Sequence, residues 1–141
     1  MKLIKTMTLA IILMAVGTQQ ASAQQIMVPK AYMFGFVASF NDSTVYFTNI
    51  QEVENVWVTK KKKLLCSHSS YTYQLREFFN RERNLPNRTC IVSYALKRKD
   101  IEKKYAKMKK QYLGKNKKVK ITYDVRYIPD SEFHFKSVDV E

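Results

Sequence analysis

The residues with the clearest potential for chemistry in this sequence are lysines. Lys103, Lys107 and Lys110 follow one another at intervals of four and three residues, so a helix places them on one face. The positive charge continues at Lys117 and Lys118. Such a row of ammonium groups attracts polyanions in a salt-sensitive way. We therefore predict that these lysines bind a polyanion, with nucleic acid, anionic polysaccharide and lipid phosphate as the candidate partners.

A second interpretation of the same helix is a solvated face that keeps the protein soluble. Tyr105 and Tyr112 fall on the apolar side of this helix, so we expect both rings in the core. Specific polyanion binding requires that the basic face adjoin a groove or exposed aromatic side chains. The two interpretations therefore differ in what lies beside the lysines.

Cys66 and Cys90 are the two cysteines of the chain. In an oxidising compartment they can form a disulfide. Two cysteines without any other disulfide pattern can equally be unpaired buried residues. The sequence leaves both alternatives open.

Motifs for metal or nucleotide chemistry are missing from the sequence. It contains no zinc-ligand spacing, no glycine loop that could cradle a phosphate, and no serine elbow. His68 and His134 are isolated, and an isolated histidine is more often a surface or hydrogen-bonded residue than a metal ligand. We therefore predict neither a cofactor nor a bound metal.

The N-terminal segment has the features of a signal peptide. Lys2 and Lys5 precede the apolar run Leu9–Val16, and Ala-Ser-Ala at 21–23 matches the small-x-small cleavage pattern. The apolar run is too short for a lasting transmembrane anchor. We therefore predict a signal peptide over residues 1–23 and a periplasmic or secreted location.

The rest of the chain, residues 24–141, has the length of one domain and a strongly basic balance. The formal net charge of the whole chain is +13. It falls only to +11 without Lys2 and Lys5, because all 12 acidic residues lie beyond the signal peptide. The sequence therefore predicts a single exported basic domain.

The elements that must position these side chains indicate an α+β fold. Residues 31–50 form a hairpin that turns at Asn41-Asp42-Ser43, and the first strand is apolar on both faces, as in a sheet covered on both sides. We expect a small mixed sheet opened by this hairpin, with two main helices packed on it. The other predicted elements are a loose leader over 24–30, an ambiguous helix or strand over 51–58, helices over 69–84 and 100–113, a strand over 89–96, and a C-terminal β-hairpin with strands over 119–127 and 133–140.

The segment STVYFT at 43–48 stands in a hairpin that is followed by a helix, a strand and a helix. This arrangement resembles the core of the GIY-YIG nuclease superfamily, and the resemblance covers about residues 31–113. It implies a metal-dependent nuclease site that uses Mg²⁺ or Mn²⁺. The residues that the resemblance would place in this site are Tyr46, Arg76 and Glu102.

The departures from the family pattern fall on residues that the chemistry needs. Thr48 replaces the glycine, a phenylalanine such as Phe36 replaces the first tyrosine, and Ala106 and Lys107 stand where the metal-binding glutamate belongs. Phosphodiester hydrolysis needs a base and a metal held by a carboxylate. The leading hypothesis is therefore an exported, non-catalytic binding or envelope-associated domain on a degenerate GIY-YIG-like scaffold. A secreted or periplasmic metal-dependent nuclease is the alternative.

Overall fold

The computed structural model describes residues 24–113 and 122–139. This part of the chain forms a five-stranded mixed sheet and two helices, which confirms the predicted α+β class. In chain order the elements are β1 (Gln25–Ala38), β2 (Thr44–Thr48), β3 (Gln51–Thr59), α1 (His68–Arg81), β4 (Thr89–Ala95), α2 (Arg98–Tyr112) and β5 (Asp124–Ile128).

The long strand β1 is the centre of the sheet. Met33 pairs with Gln51 of β3 and also with Tyr94 of β4, so those two strands lie on opposite edges of β1. Phe36 pairs in the same way with β2 and β4. β2 and β3 therefore share one edge of β1, and β4 occupies the other. β5 runs parallel to β2, while the other pairings are antiparallel, which makes the sheet mixed.

The two helices cover opposite faces of the sheet, as the apolar alternation of β1 predicts. Side chains of a strand alternate between its two faces. Met33 and Val37 belong to the core that contains the buried face of α1. Phe34 and Phe36 belong to the core that contains Ile101 of α2. The α1 helix contributes its buried residues Tyr71, Leu75 and Phe79, whereas α2 adds the partly buried Tyr105, Met108 and Tyr112.

The α2 core is largely aromatic. The rings of Phe34 and Tyr105 meet edge to face at 4.9 Å between centroids, and those of Phe36 and Tyr112 lie 4.7 Å apart. Burial raises the pKa of both tyrosine hydroxyls. Both tyrosines therefore pack against the core, as predicted.

The turn between β1 and β2 is held by its own polar side chains, in the place that the sequence predicts. Ser39 Oγ accepts the N–H of Asn41 at 3.1 Å. The Asp42 carboxylate accepts the N–H of Thr44 at 3.0 Å. Short polar side chains that bond to nearby backbone favour such turns over continued strand.

The predicted loose leader is instead the first half of β1. This segment pairs with β3 from Gln25, opposite Thr59, to Met33. The ladder omits Pro29, which has no N–H to donate, at the point where the facing Asn55 has a φ of 55°. The ambiguous stretch 51–58 is therefore a strand, and that strand orders the leader.

The return strand predicted over 133–140 does not form among the described residues. Residues 132–139 contain no strand, although β5 supplies the predicted C-terminal strand. The backbone here bonds to side chains of other elements. Gln51 donates to the Phe133 carbonyl and accepts from the Phe135 N–H, both at 2.8 Å. Gln74 makes the same two bonds with Lys136 at 2.9 Å. Side-chain amides therefore replace the expected strand partner.

The free edge of β4 is closed by side chains. Among the described strands, β4 pairs only with β1. His68 Nε2 donates to the Val92 carbonyl at 2.7 Å, and Lys104 Nζ donates to the Tyr94 carbonyl at 2.8 Å. An open strand edge is a template for unwanted pairing. These bonds occupy acceptors that another strand would need.

Candidate polyanion-binding site

A shallow, open basic groove lies between the turn that follows β3 and the first half of α2. Its volume is about 590 Å³. Five lysines and a single acidic side chain line it, together with part of β4 and the loop into α2. The charged lining residues are Lys62, Lys63, Lys97, Lys103, Lys104 and Asp100.

The first wall of the groove is a tight turn that carries the lysine run 60–63. The N–H of Thr59 donates to the Leu64 carbonyl at 2.9 Å, and the N–H of Leu64 donates to the Thr59 hydroxyl at 3.0 Å. Lys63 adopts the left-handed region, with a φ of 54°. Leu65, two residues after Lys63, is buried and bridges back to Val58 of β3. The lysine turn is therefore anchored at both ends.

The second wall is formed by the loop into α2 and its first turns. Lys97 is the N-cap residue of α2, and Lys103 and Lys104 follow within the next two turns. Lys104 is already engaged, because its Nζ donates to the Tyr94 carbonyl and lies 5.5 Å from the centre of the Tyr94 ring. Within residues 24–113 and 122–139, the ammonium groups of the other four groove lysines make neither a hydrogen bond nor an ion pair.

Arginines take part in ion pairs far more often than lysines do. Six ion pairs join described residues, and five of them use an arginine. The sixth is Lys30 with Glu52, outside the groove. Within the described part of the chain, none of the five groove lysines takes part in an ion pair. The positive charge of the groove is therefore uncompensated by neighbouring carboxylates, Asp100 excepted.

The predicted polyanion-binding residues are only partly gathered at this groove. Lys103 lines it, whereas Lys107 is exposed further along α2. Lys110 lines a separate shallow depression of about 430 Å³ with Tyr105 and Leu113. Lys117 and Lys118 lie outside the described residues.

The groove also contains lysines that the sequence interpretation missed. Lys62, Lys63 and Lys97 are not among the polyanion-binding residues that the sequence predicts. The sequence that follows the lysine run is the signal from which the turn could have been predicted. The apolar residues 64–66 (LLC) after four lysines indicate a turn fixed to the core, and the structure buries the second and third of them, Leu65 and Cys66.

The residues proposed for nuclease chemistry are not brought together. Tyr46 is buried on the α1 side of the sheet, edge-on to Phe79 at 5.0 Å. Arg76 is exposed on α1. Glu102 is on α2, across the sheet, and pairs with Arg98 at 3.0 Å. No group of three or more His, Cys, Asp or Glu that could hold a metal occurs in residues 24–113 and 122–139.

The surroundings of Tyr46 are a structural cluster of rings and paired arginines. The guanidinium carbons of Arg83 and Arg88 lie 5.9 and 5.4 Å from the centre of the Tyr46 ring. Arg88 pairs with Asp42 at 2.6 Å, and Arg83 pairs with Glu132. The Thr44 N–H and the Arg88 guanidinium hold the pKa of the Asp42 carboxyl below its ordinary value. Both arginines are thus occupied by carboxylates and tie loops together.

Cys66 and Cys90 are free thiols in the structure, and both are buried. Burial raises the pKa of each thiol, and the nearby Arg76 only partly opposes this effect at Cys90. A nucleophilic cysteine needs the opposite shift, towards the thiolate. Neither cysteine therefore has the environment of a reactive group.

The chain matches no protein-family model, no curated protein and no solved structure. In the described residues, no helix has both the length and the apolar character needed to cross a membrane.

Proposed function

We propose that this protein is an exported, non-catalytic binding domain and that the five-lysine groove is its polyanion-binding site. The observation that carries the proposal is the unpaired state of the lysines in a concave surface, since four of them have neither an ion-pair partner nor a hydrogen-bond acceptor among the described residues. The signal peptide and the GIY-YIG-like origin of the scaffold belong to the same proposal and rest on the sequence.

The chemistry of the groove favours recognition of charge over recognition of a defined shape. A lysine ammonium is a compact point charge on a flexible stem, whereas an arginine presents a planar fork that fits a phosphate or carboxylate in two-point fashion. Among the described residues that line the groove, all the basic side chains are lysines. We therefore expect binding that depends strongly on salt and weakly on the sequence or composition of the polyanion.

Charge removal inside the groove is expected to weaken binding more than equal charge removal outside it. The test variant is Lys62→Gln/Lys103→Gln, and the matched control is Lys107→Gln/Lys110→Gln, which loses the same charge from exposed positions on α2. With double-stranded DNA as the probe, the slope of log K against log salt is expected to fall by about 2 in the groove variant. Fluorescence anisotropy over a salt series measures both slopes, and heparin-column elution gives a second readout.

Equal losses of slope in the two variants would contradict the proposal, since binding would then follow net charge and not the groove. Binding that salt does not affect, or that is missing at low salt, would contradict the electrostatic basis altogether.

We expect no nuclease activity from the arrangement of Tyr46, Arg76 and Glu102. The basis is that Glu102 lies on α2, across the sheet from the buried Tyr46 and from Arg76 on α1, so the three residues have no shared position for a phosphate and a metal. Plasmid DNA incubated with the purified protein and Mg²⁺ or Mn²⁺ is expected to stay supercoiled on an agarose gel. Cleavage that disappears in Tyr46→Phe would favour the nuclease alternative instead, and a contaminating nuclease would persist in that variant.

A further inference from the structure

We infer that the lysine groove and the turn beside it dock onto a membrane surface rich in anionic phospholipid, with Leu64 entering the headgroup layer. This inference rests on the proposed polyanion-binding function and names its ligand. The docking surface consists of the lysine run 60–63, Leu64, and the groove lysines Lys97 and Lys103.

The exposure of Leu64 is the observation that favours a membrane over other polyanions as the ligand. Its side chain is 51% exposed and lines the lysine groove. The following residues, Leu65 and Cys66, are buried. The turn therefore sends one leucine outward directly after four lysines, while the next two apolar residues enter the core.

An exposed leucine surrounded by ammonium groups matches the boundary between headgroups and acyl chains. Lysine side chains place their charge at the phosphate level while their stems and an adjacent apolar side chain lie deeper. Clustered lysines are attracted to anionic leaflets and lose this attraction as salt is added. The concave groove gives phosphate groups several donors at once, from the turn on one wall and α2 on the other.

Nucleic acid fits the same surface less well. Proteins that bind single strands use free aromatic faces on which bases stack, and arginine forks are frequent in duplex recognition. The described residues that line the groove include no arginine, and Tyr94 is the one aromatic side chain among them. The Lys104 ammonium covers that ring at 5.5 Å. The groove therefore offers positive charge but no free aromatic face on which a base could stack. This combination suits a lipid surface better than it suits a nucleic acid.

The test is co-sedimentation of the purified protein with vesicles of phosphatidylglycerol and phosphatidylcholine, compared with vesicles of phosphatidylcholine alone. The variant is Leu64→Ser. The matched control is Leu113→Ser, because Leu113 is the same residue type and is 52% exposed at the end of α2, outside the groove. All proteins carry the same N-terminus, so a difference between variants reports on the position of the leucine alone.

We expect salt-sensitive binding to the anionic vesicles and little binding to the neutral ones. Leu64→Ser is expected to lower the partition coefficient about fivefold to tenfold, while Leu113→Ser stays near the wild-type value. The affinity of both variants for heparin should be unchanged, because neither removes a charge. Thermal unfolding midpoints close to that of the wild type would show that the fold is intact.

Three outcomes would overturn the inference in different ways. Binding to heparin or DNA without binding to anionic vesicles would leave the proposed polyanion function standing and end the membrane assignment. Equal effects of Leu64→Ser and Leu113→Ser on vesicle binding would remove Leu64 and the groove from the docking surface. If the protein binds none of the three probes at low salt, the proposed function fails with it.

Discussion

Gln51→Leu is expected to lower the free energy of unfolding by about 3 kcal/mol. Gln51 is 3% exposed at the start of β3. Its amide donates to the Phe133 carbonyl and accepts the Phe135 N–H, each at 2.8 Å. Leucine has a similar volume but no polar atoms, so both backbone groups would lose their partner inside the protein. A buried polar group without a partner costs about 1–3 kcal/mol.

The natural control for this prediction is Gln74→Leu. Gln74 makes the same two hydrogen bonds, with the N–H and carbonyl of Lys136 at 2.9 Å, but near the surface of α1. Water can replace the amide there, so we expect a loss of about 1 kcal/mol or less. Urea denaturation followed by circular dichroism compares the two variants with the wild type. Equal losses would contradict the argument, because they would show that burial of the backbone groups does not matter.

The hairpin and both helices could be predicted because their signals are local. The alternation of Phe34 and Phe36 with Met33 and Val37 indicates a strand with two covered faces, and each set indeed meets a different helix. The polar turn after β1 and the apolar stripe of α2 are likewise written within a few adjacent residues. Such patterns depend on neighbours in the sequence, so the chain alone is sufficient to recognise them.

The elements that the sequence did not reveal depend on partners far along the chain. Residues 25–30 look like a leader because their strand character comes from pairing with β3. Residues 133–139 are strand-like in sequence but form no strand, since Gln51 and Gln74 bind their backbone from 82 and 62 residues away. Neither interaction leaves a local pattern. A glutamine that clamps backbone has no sequence signature that separates it from a surface glutamine.

The candidate site was predictable only in part for the same reason. Helical spacing identifies the basic face that contains Lys103, but the groove also requires Lys62 and Lys63 from a turn about 40 residues earlier in the chain. Their approach depends on how α1 and β4 connect the turn to α2. The predicted nuclease residues show the opposite error, in which residues are grouped that the fold keeps apart. Arg76 and Glu102 lie on separate helices, on opposite faces of the sheet.

Arginine and lysine have separate roles in this domain. Arg88 joins the turn after β1 to the start of β4 through Asp42, and Arg83 joins the end of α1 to the turn after β5 through Glu132. The planar guanidinium suits such fixed pairs. The lysines carry the excess charge at the surface, where strong hydration favours ammonium groups. The arginines that hold the loops are thus paired with carboxylates, while the excess positive charge, which is +13 for the whole chain, stays largely on lysines.

The α1 helix can pack closely on the sheet at Gly35 because glycine has no side chain. A Cβ atom built on Gly35 would lie 2.6 Å from Leu75 Cδ2 and 3.2 Å from Thr48 Cγ2. The Gly35 N–H also donates to Thr48 Oγ1 at 2.8 Å, which fixes the strand beneath the helix. Leu75 is fully buried, so its side chain has little room to move away.

Gly35→Ala is therefore expected to lower the free energy of unfolding by about 2 kcal/mol, although alanine ordinarily suits a strand better than glycine. Leu75→Ala alone should cost about 3 kcal/mol through the cavity that it leaves. In the double variant the added methyl group enters that cavity, so the two losses should fall short of additivity by at least about 1 kcal/mol. Urea denaturation of the four proteins in the cycle measures this coupling. Additive losses would mean that the Gly35 site tolerates a methyl group without displacing Leu75, and that the approach of α1 is set elsewhere in its packing.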